Sequence, residues 1–359
     1  MNDRQQFVQI EDTCSEKQII TTGVPQGSIL GPLLFIIYMN DIQFASTIFK
    51  SILYADDTNL ISPMSVFSSQ DVNLTSDNIN TELNKISDWM AVNKLSLNIG
   101  QTKFIIFHYP QKKLRPSDIP TLKINDIQIS RTQDFNFLGL TISETLQWKA
   151  HVNKISNKIS KSVGIMYRIK RYVNSSILKL IYNALILPHL NYSLLCWGFS
   201  INRLHKIQKK AIRTICMSKY NAHTKPLFKK LRLLDVFDLF KLNTLKLVYK
   251  YYNPENNPLP DYFTGMFNTV EVGHDYNTRY RNHRNPQPLT TTAKACIRYY
   301  VPVLLDSTQE CITEKLFTHS LQGFSNYVKN VFINEYDTVC QIVNCYICEG
   351  GDNSTTIVT

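Results

Sequence analysis

Apolar positions along the chain alternate between two periods, and the period changes with position. Ile79, Leu83, Ile86 and Met90 fall on one face of a helix, opened by Ser76 or Asp77. Val152, Ile155, Ile159, Val163, Met166, Ile169 and Val173 keep helical spacing over about six turns. Ile177, Ile181, Ala184 and Leu185 define a further helix, capped by Asn174 or Ser175 and interrupted by Pro188. Arg203 to Cys216 places Leu204, Ile207, Ala211, Ile212 and Ile215 inward. Pro226 to Tyr252 also reads as helical, up to the breaker Asn253-Pro254-Glu255-Asn256-Asn257-Pro258, and periodicity then stays weak until about Glu314 to Glu335. Leu33 to Met39 is apolar on nearly every face. It predicts a buried helix that Ser28 or Gly31 caps, with Pro32 in its first turn.

Strand patterns fill the first 143 residues. Residues 4–22 predict two short strands joined by a polar turn near Glu11-Asp12-Thr13. Ile48 to Ala55 and Thr58 to Ser62 predict a hairpin whose turn is Asp56-Asp57. Lys94 to Asn98 and Lys103 to His108 read as strands around Gly100. A second hairpin turns at Asn125-Asp126, between the alternating pairs Leu122, Ile124 and Ile127, Ile129. Phe135 to Ile142 predicts one more strand. The fold class expected is α+β for residues 1–143, then an all-α segment over 144–220. Residues 221–359 form a partly helical extension with a linker near 253–260.

With 359 residues, the chain has room for two or three domains with real cores. The apolar run Ile29 to Met39 is too short to cross a bilayer, and no apolar leader stands at the N-terminus. The expectation is an intracellular protein, in nucleus and/or cytoplasm, neither secreted nor membrane-bound. Eight scattered cysteines suit free thiols. Cys340, Cys345 and Cys348 lack a fourth ligand at suitable spacing for zinc. No Ser-His-Asp pattern, Walker loop or Rossmann glycine motif is present. Charge is strongly segregated. Residues 145–234 carry 18 Lys and Arg and no Asp or Glu, whereas residues 1–144 carry 11 basic against 15 acidic side chains. So many unpaired cations call for a polyanion. The outward residues Lys154, Lys158, Lys161, Lys206, Lys209, Lys210 and Arg213 are the candidate phosphate contacts.

The adjacent carboxylates Asp56 and Asp57 are costly to place side by side unless a cation neutralises them. Hard oxygen donors select Mg²⁺ or Mn²⁺. Ahead of them stands Gly23-Val24-Pro25-Gln26-Gly27-Ser28-Ile29-Leu30-Gly31-Pro32-Leu33-Leu34-Phe35. This stretch resembles motif B of reverse transcriptases, and Tyr54-Ala55-Asp56-Asp57 resembles their motif C. Trp89, Asn93 to Asn98 and Thr102-Lys103-Phe104 are similar to motif D. Phe137-Leu138-Gly139-Leu140 resembles motif E, the primer grip. The basic helices resemble the thumb of non-LTR, jockey-like retrotransposon enzymes. His223 to Phe228 and Tyr276 to Arg279 are similar to segments that follow it.

The resemblance implies a partial polymerase palm over 1–143, a thumb over 144–220 and an extension after it. It implies RNA-directed DNA polymerisation: nucleotidyl transfer from dNTPs to a DNA primer 3′-hydroxyl on an RNA template. Asp56 would be the direct metal ligand and Asp57 would assist. Lys103 would serve as general acid or phosphate contact. Gly23, Pro25, Gln26, Gly27 and Tyr54 would lie against template or nucleotide, and Phe137, Leu138 and Gly139 against primer. The family's motif A carries a further catalytic aspartate upstream of motif B. Only Asp3 and Asp12 precede Gly23, neither in that pattern. The expectation is therefore a chain lacking motif A, fingers and endonuclease, and inactive alone. The alternative expectation is a non-catalytic nucleic-acid-binding remnant that acts through the basic helices. No protein partner is inferable.

Overall fold

The computed structural model describes residues 5–20, 23–24, 27–62, 72–267 and 295–336. It is a mixed helix and strand structure that divides into two compact units at Gln133/Asp134. The first unit holds strands β1 (Gln5–Gln6), β2 (Gln9–Ile10), β3 (Thr13–Cys14) and β4 (Gln18–Ile19), then helix α1 (Leu30–Met39). Strands β5 (Lys50–Tyr54) and β6 (Asp57–Ile61) precede helix α2 (Val72–Val92). Short strands β7 (Lys103–Phe104), β8 (Lys123–Ile124), β9 (Ile127–Gln128) and β10 (Ser130–Arg131) complete it. Every ladder among the described residues is two-stranded, and β7 pairs with β10 in parallel. The strands and hairpins expected here thus pair as separate ribbons and not as one sheet among the described residues.

Helix α2 organises this unit. Its face Ile79, Leu83, Ile86 and Met90 is buried, as the spacing requires, although the helix begins before Ser76. Ile79 and Leu83 pack with Leu122, Ile124 and Ile129, while Ile86 and Met90 pack with Met39 and Ile42. Asn80 Oδ1 accepts from Lys123 N at 2.8 Å and Asn84 Oδ1 from Asn125 N at 2.9 Å, which pins the β8–β9 hairpin. That hairpin turns at Asn125-Asp126, with φ of 49° and 62°, the left-handed pair that Asn and Asp tolerate best. Lys94 to Asn98 is not a strand, and β7 ends at Phe104. Backbone bonds within residues 89–102 curl this stretch back on itself instead of leaving it free to pair.

Helix α1 departs from expectation. Pro32 sits in the first turn, and Ser28 Oγ accepts from Gly31 N at 3.0 Å. The helix is not buried, however. Ile29 is 94%, Leu33 54%, Ile36 65% and Ile37 64% exposed, and Met39 alone of its residues is buried. Only the Met39 side meets α2 within the described residues, so an all-round apolar helix is covered on one side.

The second unit opens with strands β11 (Asp134–Phe137) and β12 (Leu140–Ser143). Phe135 to Ile142 is therefore a hairpin rather than one strand. Leu138 and Gly139 form its turn with φ of 47° and 82°, and Gly139 supplies the left-handed conformation. Helices follow: α3 (Lys149–Ile169), α4 (Ser175–Leu185), α5 (Leu187–Asn191), α6 (Leu194–Trp197), α7 (Asn202–Ile215), α8 (Lys225–Leu231) and α9 (Val236–Tyr252). After residue 294 come α10 (Ile297–Ser307), α11 (Glu310–Glu314) and α12 (Leu321–Asn334). Asn174 caps α4 through Ile177 N, as its sequence predicts. One apolar core runs from Leu140 to Tyr336 and includes Ile159, Met166, Trp197, Ile212, Phe228 and Phe324 at 0% exposure. The hairpin thus belongs to the helical unit, and residues on both sides of 220 share one core. Among the described residues no helix is long and apolar enough to cross a membrane.

A polar hub ties this core together. Gln208, fully buried, donates to the Tyr182 hydroxyl and to Leu234 O, and accepts from Val236 N. Asp235 caps α9 by accepting from Phe237 N and Asp238 N, and pairs with Lys225 Nζ at 2.8 Å. Tyr336 donates to Asp238 Oδ2 at 2.6 Å and accepts from Asp235 N at 3.0 Å, fastening the end of the described chain to α9. Burial opposes ionisation of Asp235, but the Lys225 bond, the Asp238 N–H and the nearby positive charge still hold its carboxyl below the usual range.

Candidate functional site

The candidate residues occupy different local settings, beginning with the β5–β6 hairpin. Five pairs run from Lys50↔Ile61 to Tyr54↔Asp57. The turn residues are therefore Ala55 and Asp56, and Asp57 is the first residue of β6. This moves the expected turn by one position. Pairing Tyr54 with Asp57 closes a two-residue loop, and Ala55 takes the positive φ of 50° such a loop demands. The result places Asp56 at the tip and Asp57 beside it, both exposed, with Tyr54 61% exposed.

The base of this hairpin is held by α2. Glu82 accepts from Ser46 Oγ at 2.5 Å and from Thr47 N at 3.0 Å, and it pairs with Lys85. These bonds, Lys85 first and Ser46 next, lower the Glu82 carboxyl from 4.5 to about 2. A charged anchor thus fixes where β5 starts, and the strand register then fixes where the two aspartates end.

Asp56 and Asp57 offer a hard-oxygen donor set that suits Mg²⁺ or Mn²⁺, since Mg²⁺ commonly takes one or two carboxylates and keeps water ligands. Among the described residues no third His, Cys, Asp or Glu joins them as a metal-binding group. Gly23 and Gly27 have φ of 79° and 80°, with nothing within 4 Å of a Cβ placed at either. Their freedom serves backbone conformation and leaves open space beside them. Pro25 and Gln26 lie outside the described residues, as do Tyr276 to Arg279, Cys340, Cys345 and Cys348. Lys103 is exposed on the β7–β10 ladder, away from the aspartate hairpin in chain pairing.

In the second unit the structure brings several expected residues together. Lys154 and Lys158 lie one turn apart on α3, and both line a cavity of about 180 Å³ under the β11–β12 turn. Gly139, Ile155, His151, His189 and Tyr192 complete its wall. Lys154 Nζ donates to Asn136 Oδ1 at 2.9 Å, so the lysine is oriented by the hairpin. The Tyr192 hydroxyl donates to Leu138 O, which straps the turn to the helices. Phe137 is half-buried on β11, with Phe135 at 6.4 Å between ring centroids.

His151 is 2% exposed, held edge-on between Trp148 and Trp197. Its Nδ1 accepts from Thr141 N at 3.2 Å, which leaves Nε2 to carry the proton of the neutral ring. Burial first, and Lys154 next, push this imidazole below its usual value, so it is uncharged at neutral pH. Its buried Nε2 has no hydrogen-bond partner. Sequence reasoning missed His151, His189 and Tyr192. The available signal was a polar residue on an apolar stripe: His151 stands four residues before Ile155 and eight before Ile159.

Lys161, Lys206 and Lys210 are exposed and Lys209 half-exposed, on the outward faces of α3 and α7. Arg213 differs. Its Nε donates to Ala222 O at 2.8 Å and burial pushes its guanidinium down, so it braces the loop after α7.

Residues 3–142 match the family model described as reverse transcriptase (RNA-dependent DNA polymerase). A probable RNA-directed DNA polymerase from transposon X-element of Drosophila melanogaster is 25% identical over 64% of this chain and 26% of its own length. The RNA-directed DNA polymerase from mobile element jockey of Drosophila funebris is 23% identical over 63% of this chain and 25% of its own. Its counterpart in Drosophila melanogaster is 22% identical over 66% and 26%. The chain therefore spans about a quarter of the length of the curated relatives it matches.

Proposed function

We propose, from the premise that residues 3–142 belong to the reverse transcriptase family, that this chain is the palm-and-thumb part of a jockey-like RNA-directed DNA polymerase. The first unit is the palm portion and the helical unit the thumb with its extension. The observation that carries this reading is Asp56 in a two-residue hairpin turn with Asp57 beside it at the start of β6, inside the matched segment and downstream of Gly23 and Gly27. Asp56 and Asp57 are the residues that would hold Mg²⁺ or Mn²⁺. When bound, the metals lower the pKa of the primer 3′-hydroxyl and stabilise the leaving pyrophosphate. Glu82 and the β5–β6 register orient the two carboxylates. Lys103 stands as phosphate contact or acid, and Gly23 and Gly27 let nucleic acid approach the backbone. The basic helices grip RNA–DNA phosphates without reading sequence. Its place of action is intracellular, in nucleus and/or cytoplasm.

Primer extension on an RNA template with Mg²⁺ tests this. Incorporation that Asp56→Asn reduces to background supports catalysis. Incorporation unaffected by Asp56→Asn refutes the assignment. A second reading rests on the 18 cations and absent carboxylates of residues 145–234: a nucleic-acid-binding protein without polymerase activity. It predicts no incorporation, with binding that weakens steeply as salt rises. Salt-independent binding excludes it.

A further inference from the structure

Helices α7, α8 and α12 converge on the start of α9, and a histidine stands there that the polar hub leaves unused. Asp235 Oδ1 accepts from Phe237 N and Asp238 N, and Oδ2 takes Lys225 Nζ at 2.8 Å. Asp238 Oδ1 pairs with Lys241 at 3.1 Å, and its Oδ2 accepts from the Tyr336 hydroxyl with Lys225 3.7 Å away. Lys225 also stands 4.1 Å over the Tyr336 ring. Two carboxylates thus face two ammonium groups, and Lys225 lies within reach of both carboxylates and of the tyrosine. Lys229 Nζ donates to Asn334 O and Tyr336 O, so α8 holds the end of α12 through two lysines.

His205 of α7 borders this cluster without bonding to it. Its Nε2 lies 3.8 Å from Asp235 Oδ2, too far for a hydrogen bond, and is buried without a partner. Its side chain is 16% exposed, so protons reach the ring from solvent. The Phe237 ring meets it edge-on at 4.8 Å. The charged groups that bear on it are Lys209 one turn further along α7, Asp235 and Asp238 at the start of α9, and Lys225 at the start of α8. Burial first, and Lys209 next, hold the imidazole below its usual 6.5 against the pull of Asp235 and Asp238, so it is uncharged at neutral pH.

A proton on this ring adds a further cation to a balanced site. Asp235 Oδ1 is taken by two backbone N–H groups, so imidazolium and ammonium compete for Oδ2. We propose that His205 is an acid-operated release for the end of α12: once protonated it draws Asp235 Oδ2 away from Lys225, and Lys225 loosens its hold on Tyr336. The device goes beyond the polymerase reading and does not depend on it. A base held below its ordinary value in the folded protein takes up its proton more readily once the site opens. The latch is therefore complete above pH 6.5 and weakens as pH falls below it.

The test follows the full chain by amide exchange between about pH 8 and about pH 5, expressed as protection factors so that the intrinsic pH dependence of exchange drops out. Protection in α8 and α12 is expected to fall by roughly threefold or more in the parent and to stay level in His205→Gln. Constant protection in the parent, or an equal fall in His205→Gln, overturns the proposal. A fall confined to α3 also overturns it, because that traces to His151, whose imidazole burial likewise holds low. A second variant, Lys225→Gln, keeps His205 and removes its competitor. The His205 imidazole NMR signal is expected to titrate below 6.5 in the parent and at higher pH in Lys225→Gln. Titration at or above 6.5 in the parent, or a midpoint that Lys225→Gln leaves in place, overturns the competition for Asp235.

Discussion

In α1, Leu33, Ile36 and Ile37 are each more than half exposed, whereas in α3 Ile159 and Met166 are completely buried. Both helices are rich in large aliphatic residues. They differ in what surrounds the apolar positions. Helix α3 alternates them with Lys154, Lys158 and Lys161, so one face is dry and the other wet. Helix α1 has no polar face to give to water, and the described part of its unit covers only the Met39 side. The comparison separates a helix that buries one apolar face from one that leaves most of its apolar surface open, although the helical unit also exposes Leu180 at 67% and Phe317 at 68%. A patch of this kind marks a surface made for contact.

The sharpest probe of that contrast is truncation in each unit. Trp197→Ala, in the fully buried core, is expected to cost ~3–5 kcal/mol in denaturant unfolding. Ile36→Ala, at 65% exposure, should stay within about 0.5 kcal/mol. Equal losses would erase the distinction. Next comes Tyr336→Phe, which strips the hydroxyl from Asp238 and Asp235 N. A loss of roughly 1.5–3 kcal/mol is expected, because the acceptor is a buried carboxylate; no loss would mean the helical core closes without its polar hub.

In the first unit the analogous anchor is Glu82. Its folded carboxyl lies near 2, below the ordinary 4.5, so its contribution is complete above pH 4.5 and is lost as pH falls towards 2. Amide exchange in α2 and β5 should accelerate over that window. In Glu82→Gln, destabilised by about 1.5 kcal/mol, exchange should be nearly flat there. A variant as pH-sensitive as the parent would relocate the anchor. The smallest effect belongs to the aspartate turn. Ala55 at φ 50° carries left-handed strain of ~1–2 kcal/mol, against a glycine entropy cost of ~0.5–1 kcal/mol. Ala55→Gly should therefore gain up to about 1 kcal/mol in thermal melting, and a loss would show that the turn is unstrained.

Sequence pattern revealed the amphipathic helices α2, α3, α4 and α7, because each has one apolar face and one polar one. It also revealed the Asn125-Asp126 turn, where residue type and backbone conformation agree. It placed the aspartate turn one residue late, since register is settled by the Tyr54↔Asp57 pair and not by which residues tolerate turns. Leu138-Gly139 was hidden inside an apolar run, where leucine at φ 47° is an improbable turn residue. The burial of α1 was misjudged because composition states only what a surface would prefer. Asp56, Asp57, Lys154 and Lys158 stand out in the sequence as charge beside apolar neighbours, whereas the seat of His151 between two indoles shows only in the fold.

The tyrosine that holds the Leu138 carbonyl has a mechanical consequence. One hydroxyl links the tip of the hairpin to a residue 54 positions further along the chain, so the turn cannot lift away from the helical unit while that bond holds. Tyr192→Phe keeps the ring and removes the link.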